Sequence, residues 1–160
     1  MTTRRSARVV LIDRRGHALL FCVDDPQTDA PIEWITPGGG VEPGEELSQA
    51  ACQELLEETG LIATPDDLGP PVAWTEGDWE WRGAPVHSVD TYFILEVDAF
   101  EPQLGAHDEI EKEVRSGHRW WSCEELDSPS ESVVPGGLAS VVRDFRANGR
   151  PAEPVHLPWS

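Results

Sequence analysis

Short apolar runs alternate with polar, turn-forming segments in the first part of the chain. Residues 8–12 and 17–23 are two apolar runs separated by Asp13-Arg14-Arg15-Gly16. A β-branched run followed by such a turn and a second apolar run predicts a hairpin of two strands. A brief extended piece is predicted at 33–35, before a cluster of glycines.

Two segments show helical character. Residues 45–59 are rich in Glu, Leu, Ala and Gln, which favour helices, and Gly60 is placed to end that helix. A second helix is predicted for about 138–147, where four apolar residues recur at helical spacing. The remaining residues, 148–160, contain three prolines and are predicted to form an extended tail over the surface.

The strands of the second half are predicted from apolar runs. Residues 72–75 and 79–81 flank Gly77-Asp78, a turn signal that predicts a second hairpin. A long strand is predicted at 87–97 and a shorter one at 119–122. The intervening polar and acidic stretch is too long for a simple turn, and such loops often carry function.

Length, cysteine content and the N-terminal pattern narrow the class of protein. With 160 residues the chain is expected to form one domain over 1–160. Its three cysteines lie far apart and indicate neither a disulfide framework nor a zinc site. The apolar run after Arg4-Arg5 ends at Asp13, too early for an export signal, so a cytoplasmic location is expected.

The charge balance indicates which classes of partner the protein can bind. Twelve Lys and Arg against thirty Asp and Glu give a formal net charge of −18. Nucleic acids and anionic membranes are bound mainly through clustered cations, so neither partner is expected. An anionic small molecule remains compatible with this charge if metal cations stand between it and the carboxylates.

Three carboxylates share one edge of the first predicted helix. At about 100° per residue, Glu54, Glu57 and Glu58 fall within an arc of about 100°. Like charges four residues apart cost a helix a few tenths of a kcal/mol. The edge is therefore either a solvated acidic face or a binding site for a cation.

The spacing around this edge separates the two alternatives. Gly39 is followed after five residues by Glu45, and after seven more by Gln53-Glu54-Leu55-Leu56-Glu57-Glu58-Thr59-Gly60-Leu61. If two glycines and four glutamates are treated as independent draws at about 0.1 each, such a pattern arises about once in a million starts. A chance occurrence is a poor explanation.

Over residues 39–61 the sequence resembles the signature of the Nudix hydrolase family. Residues 34–39 before this box and 119–121 near the end of the chain are also similar to Nudix sequences, so the resemblance extends over most of the chain. Gln53 departs from the signature, which has an arginine there. In the family that arginine orients the metal-binding carboxylates, and glutamine carries no charge with which to do so.

The resemblance implies an α/β fold, an α/β/α sandwich with a mixed central sheet and a loop–helix–loop catalytic box. It also implies Mg²⁺ or Mn²⁺ held by Glu54, Glu57 and Glu58 with the backbone carbonyl of Gly39. Mg²⁺ prefers oxygen ligands and bridges carboxylates to substrate phosphates. Substrate-binding backbone is expected at Gly38, Gly39 and Gly40, because glycine allows a phosphate or metal to approach closely.

The resemblance gives catalytic roles to carboxylates. Glu57, with Glu54 and Glu58, is expected to carry the reaction, and loss of Glu57 should reduce turnover most. In the family the general base is a box glutamate or an acid from a distant loop. Glu109 and Glu111 are the candidates in that loop, unless they belong to an ordinary acidic surface.

Tryptophans offer a second kind of binding group. Trp79 and Trp81 would share one side of a strand, where a nucleobase can stack on an indole. The alternative is that they cover the core or a subunit interface. No downstream marker selects a particular nucleotide.

These observations lead to a metal-dependent hydrolase that cuts a phosphoanhydride in a nucleoside diphosphate linked to another group. The substrate would be a small molecule such as a nucleotide sugar, ADP-ribose, a dinucleotide or a nucleoside triphosphate. The main alternative is a non-catalytic Nudix domain that senses a nucleotide, which Gln53 favours. An ordinary acidic α/β domain is the third interpretation. The resemblance alone favours a homodimer.

Overall fold

The computed structural model describes residues 1–98, 100–102 and 115–160. Its strands are β1 (Thr2–Ile12), β2 (Ala18–Val23), β3 (Glu33–Ile35), β4 (Gly38–Gly40), β5 (Ala73–Trp81), β6 (Ala84–Glu96), β7 (Arg115–Trp121), β8 (Ser132–Val134) and β9 (Val155–His156). Its helices are α1 (Leu47–Thr59), α2 (Pro65–Leu68), α3 (Cys123–Asp127) and α4 (Leu138–Asn148).

The strands of the described part form a mixed sheet around β1. Their order is β8-β3-β2-β1-β6-β5-β9, with β4 paired to β1 and β7 paired to β2. β1 and β6 run parallel from Thr2 opposite Val86 to Ile12 opposite Glu96. β5 is antiparallel to β6, and β2 is antiparallel to β3 and β7. The predicted α/β class with a mixed sheet is confirmed.

Side chains of β1 alternate between two apolar cores. Val9 and Leu11 pack in a cluster with Leu55 of α1, whereas Val10 and Ile12 pack in a cluster with residues of α4. Because successive side chains of a strand point to opposite faces, one strand supplies both cores. The strand is buried on both faces, so it reads as a continuous apolar run.

Helix α1 begins two residues later than predicted. Glu46 has extended backbone and precedes the first helical residue, Leu47. Gly60 ends the helix with φ 79°, and its N–H donates to the carbonyl of Leu56 at 3.0 Å. This left-handed backbone is the reason that glycine is suited to the end of a helix.

The first predicted hairpin forms, with Ile12 opposite Ala18. The second lies elsewhere than predicted. Gly77 and Asp78 do not form its turn, because both lie inside β5, opposite Ser88 and His87. The turn falls instead at Arg82 and Gly83, whose φ angles are 47° and 89°. Positive φ at both central residues matches the right-handed twist of the flanking strands.

The C-terminal tail is part of the sheet. Val155 and His156 form β9 parallel to β5, and the N–H of Leu157 donates to the carbonyl of Trp74 at 2.9 Å. Leu157 is buried in the core that contains α4. In the described residues, no helix is long and apolar enough to cross a membrane.

Candidate active site

The glycine strand β4 lies close against β1 and has no room for side chains at two positions. Gly38 has φ +147°, and a Cβ there would lie 2.5 Å from the carbonyl oxygen of Ala7. A Cβ on Gly39 would lie 2.6 Å from both Cδ and Oε1 of Glu54. The backbone of Gly39 and the carboxylate of Glu54 are therefore in direct apposition.

Two carboxylates of α1 face this strand. Glu58 is fully buried, and its Oε1 accepts a hydrogen bond from the N–H of Gly38 at 3.2 Å. Glu54, one turn earlier on the same face, is half-buried beside Gly39. A buried carboxylate needs hydrogen bonds to offset its desolvation, so Gly38 helps to hold Glu58 in place.

The third carboxylate has a different partner. Nε2 of Gln53 donates to Oε1 of Glu57 at 2.6 Å, a contact between neighbouring turns of α1. Upstream, Oε1 of Glu45 accepts from the N–H of Glu42 at 2.8 Å and closes the loop before the helix. Gln53 therefore orients Glu57 by a neutral hydrogen bond, and Glu45 supports the loop.

A separate cavity of about 440 Å³ is lined by residues of β1, β3, β5 and β6, and not by the glycines of β4 or the glutamates of α1. Trp79 and Trp81 of β5 line it together with Trp159 of the tail. Trp79 and Trp81 are half-buried and alternate with exposed polar residues, so they share a face of β5 as predicted. Nε1 of Trp79 donates to Oγ of Ser88 at 2.8 Å, which fixes the indole against β6.

A buried ion pair lies at the polar side of the cavity. Nε of Arg8 is 3.5 Å from Oδ2 of Asp90, and both residues line the cavity. Nη1 of Arg8 also donates to the carbonyl of Thr36 at 2.8 Å. Arg8 is opposite Gly38 in the pairing of β1 with β4. The same strand residue therefore connects the cavity to the glycine strand.

Burial shapes the electrostatics of this region. The pKa of the Tyr92 phenol is well above its usual value because the ring is buried and the charge of Asp90 is close. Burial also raises the pKa of Glu33, which lines the cavity. Oδ1 of Asp90 is buried and has no hydrogen-bond partner among the described residues. The cavity therefore combines aromatic walls with buried acidic groups.

The NUDIX domain family model matches residues 2–145 of this chain. The chain belongs to the Nudix family. The predictions of the family and of an enzyme of the Nudix pyrophosphohydrolase type are confirmed.

Individual Nudix relatives cover most of the chain. An RNA pyrophosphohydrolase of Azorhizobium caulinodans is 32% identical over 135 residues, which span 74% of this chain and 76% of the relative. An RNA pyrophosphohydrolase of Caulobacter vibrioides is 29% identical over 140 residues, 78% of this chain and 76% of the relative. The solution structure of the E. coli ORF135 protein matches with TM-score 0.54 and 29% identity over 96% of both chains.

The structure brings part of the predicted Nudix site together. Gly39 and Glu54 are in apposition, and Glu58 joins them through Gly38, whereas Glu57 contacts Gln53. Within residues 1–98, 100–102 and 115–160, no three His, Cys, Asp or Glu side chains are grouped closely enough to hold a metal ion. The predicted base candidates, Glu109 and Glu111, lie outside the described residues.

Sequence reasoning missed three cavity residues. Arg8 directly precedes the apolar run at 9–12, and Asp90 lies shortly before the apolar run at 92–95. A charge at the start of a buried run was the usable signal. Trp159 carries no such signal, because its role depends on the return of the tail to β5. The Nudix family match ends before this tail.

Proposed function

We propose that the protein hydrolyses a phosphoanhydride bond in a small nucleoside diphosphate derivative, with Mg²⁺ or Mn²⁺ at the Nudix box. The observation that carries this proposal is the apposition of Gly39 and the Glu54 carboxylate. Arg8, which is paired with Gly38, also lines the aromatic cavity and links it to the glycine strand. The apposition of Gly39 and Glu54 brings backbone and carboxylate close together.

The donor atoms are of the type that a hard divalent cation prefers, although the three carboxylates are not grouped around one point in the described residues. Glu54, Glu57 and Glu58 would hold it together with the Gly39 carbonyl, all of them oxygen donors, which Mg²⁺ and Mn²⁺ prefer. A side chain at position 39 would fill the space against Glu54, so glycine keeps that approach open. When bound, the cation neutralises diphosphate charge and activates water as a nucleophile.

The chain's own residues would position these groups. Gly38 holds the buried Glu58 carboxylate, and Gln53 holds Glu57 by its 2.6 Å hydrogen bond. Glu57 is the carboxylate we expect to matter most for turnover. Glu109 or Glu111 would serve as general base, taking the proton of the attacking water.

The cavity would bind the nucleoside part of the substrate. Trp79 and Trp81 offer faces on which a base stacks, an interaction worth about 1–3 kcal/mol per base. Gly38, Gly39 and Gly40 would lie near the phosphates. The base would then lie in the cavity, and the phosphates would lie beside the glycines and the carboxylates of α1.

The experiment must also distinguish two alternatives to hydrolysis of a small nucleotide. The substitution of neutral Gln53 for the family's arginine favours a nucleotide sensor that binds without turnover. The RNA pyrophosphohydrolase names of the relatives favour a 5′-triphosphorylated RNA end. The net charge of −18 opposes binding of a long phosphate backbone, so we favour the small substrate. A cytoplasmic location and a homodimer remain predictions.

The experiment is phosphate-product release with Mg²⁺ and then Mn²⁺. The panel contains ADP-ribose, NADH, nucleotide sugars, diadenosine polyphosphates, nucleoside triphosphates and a 5′-triphosphorylated RNA oligonucleotide. Glu57→Gln should lower kcat by about a hundredfold or more, because metal-assisted charge stabilisation supplies much of the rate.

Glu46→Gln is the matched control, since Glu46 is exposed at the start of the same helix. It should retain wild-type turnover. Binding without turnover across the panel would support the sensor. Turnover that Glu57→Gln keeps would overturn the assignment of that residue.

A further inference from the structure

The C-terminal tail reaches the cavity through Trp159, although the family match ends at residue 145. β9 pairs with β5, and Oγ1 of Thr75 donates to the carbonyl of Leu157 at 2.7 Å. The N–H of Gly136 donates to the carbonyl of Pro158 at 3.1 Å. The residues immediately before Trp159 are thus held from two sides.

Trp159 occupies the place that a side chain at position 77 would take. A Cβ built on Gly77 would overlap the indole of Trp159 at Cδ2, Cγ and Cε3. Glycine inside a strand lacks a side chain to pack and weakens the strand, and it often marks a close approach of another group. At Gly77 the approaching group is an aromatic ring.

The result is a row of three indoles along one face of β5. Gly77, Trp79 and Trp81 alternate with exposed residues and therefore share a face. Trp159 covers the first position, and the other two carry their own indoles. All three tryptophans line the same cavity. The tail completes an aromatic wall that β5 would otherwise leave open at Gly77.

We propose that Trp159 is a specificity-determining residue that stacks against the nucleobase of the substrate. The absence of a side chain at Gly77 leaves the space that the Trp159 ring occupies. This inference rests on the proposed nucleotide substrate. The ligand it selects has a planar aromatic base. The sugar and phosphates contribute equally whether or not Trp159 is present.

Equilibrium binding without added metal tests this separately from hydrolysis. The probes are AMP, GMP, CMP and UMP, with ribose 5-phosphate as the base-free control, measured by calorimetry. Trp159→Ala should weaken binding of at least one of the four nucleotides by about tenfold or more, the effect of losing one stacking contact. Binding of ribose 5-phosphate should not change.

Two further variants keep the test decisive. Gly77→Ala leaves Trp159 in the sequence but displaces its ring, and it should reproduce the loss. Trp159→Phe keeps an aromatic face and should restore most of the affinity. Circular dichroism and thermal unfolding of each variant show whether it is folded.

The inference is overturned if folded Trp159→Ala binds all four nucleotides as the wild type does. It is equally overturned if ribose 5-phosphate loses affinity in parallel, or if the wild-type protein binds none of the nucleotides. Failure of the proposed hydrolysis has a different signature, since nucleotide binding would then depend on Trp159 while the turnover panel stays silent.

Discussion

Arg8 and Asp90 form an ion pair in which Nε lies 3.5 Å from Oδ2 and both side chains are more than nine-tenths buried. Their strands are adjacent and parallel, with Asp90 opposite Ser6. Removing one partner of a buried pair leaves a charge in a site that water cannot solvate. Burying either charge alone would cost free energy, and the two charges together offset that cost. The pair therefore holds both side chains at the polar side of the cavity.

Asp90→Ala should destabilise the fold by about 3 kcal/mol, measured as the free energy of unfolding in urea. Asp127→Ala is the control because Asp127 pairs with Arg143 at 2.7 Å and both side chains are about half exposed. A partly solvated pair contributes about 1 kcal/mol or less. Equal losses in the two variants would contradict the structural difference between these pairs.

Gly39→Ala should abolish turnover while the protein still folds. The added methyl group would lie 2.6 Å from the Glu54 carboxylate and must displace it. Gln49→Ala, at an exposed position of α1, is the control and should keep wild-type turnover. Steady-state kinetics and thermal unfolding check both variants. Full activity in Gly39→Ala would show that the apposition of Gly39 and Glu54 plays no part in catalysis.

Local rules account for much of the fold. The box spacing led to the family, Gly60 marked the end of α1, and the apolar run of 8–12 indicated the central strand. These signals are local because helix termination and strand burial depend on neighbouring residues. The apposition of Gly39 and Glu54 follows from the same spacing, once α1 packs against β1.

Contacts between distant segments were beyond those rules. Gly77-Asp78 has the sequence of a turn, yet Gly77 lies within a strand, paired with Ser88 and covered by the ring of Trp159. The structural role of this glycine depends on the C-terminal tail, which pairs with β5 although it is distant in the sequence. The pair of Arg8 with Asp90 likewise exists only because β1 and β6 run side by side.

Gln53 is expected to be a positioning residue. Gln53→Ala should lower kcat about tenfold and leave KM nearly unchanged, because Glu57 would lose the hydrogen bond that orients it. Gln53→Arg should match or exceed the wild type, since a charge-assisted hydrogen bond is stronger than a neutral one. Gln49→Ala, exposed one turn earlier, is the control. A Gln53→Ala enzyme with wild-type kcat would rule out this role.

Glu33 should make stability depend on pH in a direction opposite to that of most carboxylates. Burial raises its pKa, so the folded protein holds this proton more tightly than the unfolded chain. The proton is bound in both states at low pH, and no penalty arises there. As the pH rises through the ordinary carboxyl range toward the raised pKa, the folded state must either keep the proton or bury a charge. Stability is therefore lost in that window.

Glu33→Gln should accordingly raise the Tm by a few degrees at pH 7 and by much less at pH 4, as measured by thermal unfolding. Asp127→Asn provides a comparison of opposite sign, since the hydrogen bond from Arg143 lowers the pKa of Asp127. That stabilising contribution is present above the unfolded pKa and is lost as the pH falls through the folded one. Asp127→Asn should therefore lower the Tm at pH 7 and approach the wild type in acid. If Glu33→Gln also lowers the Tm at pH 7, Glu33 has a stabilising partner in solution and burial does not dominate its titration.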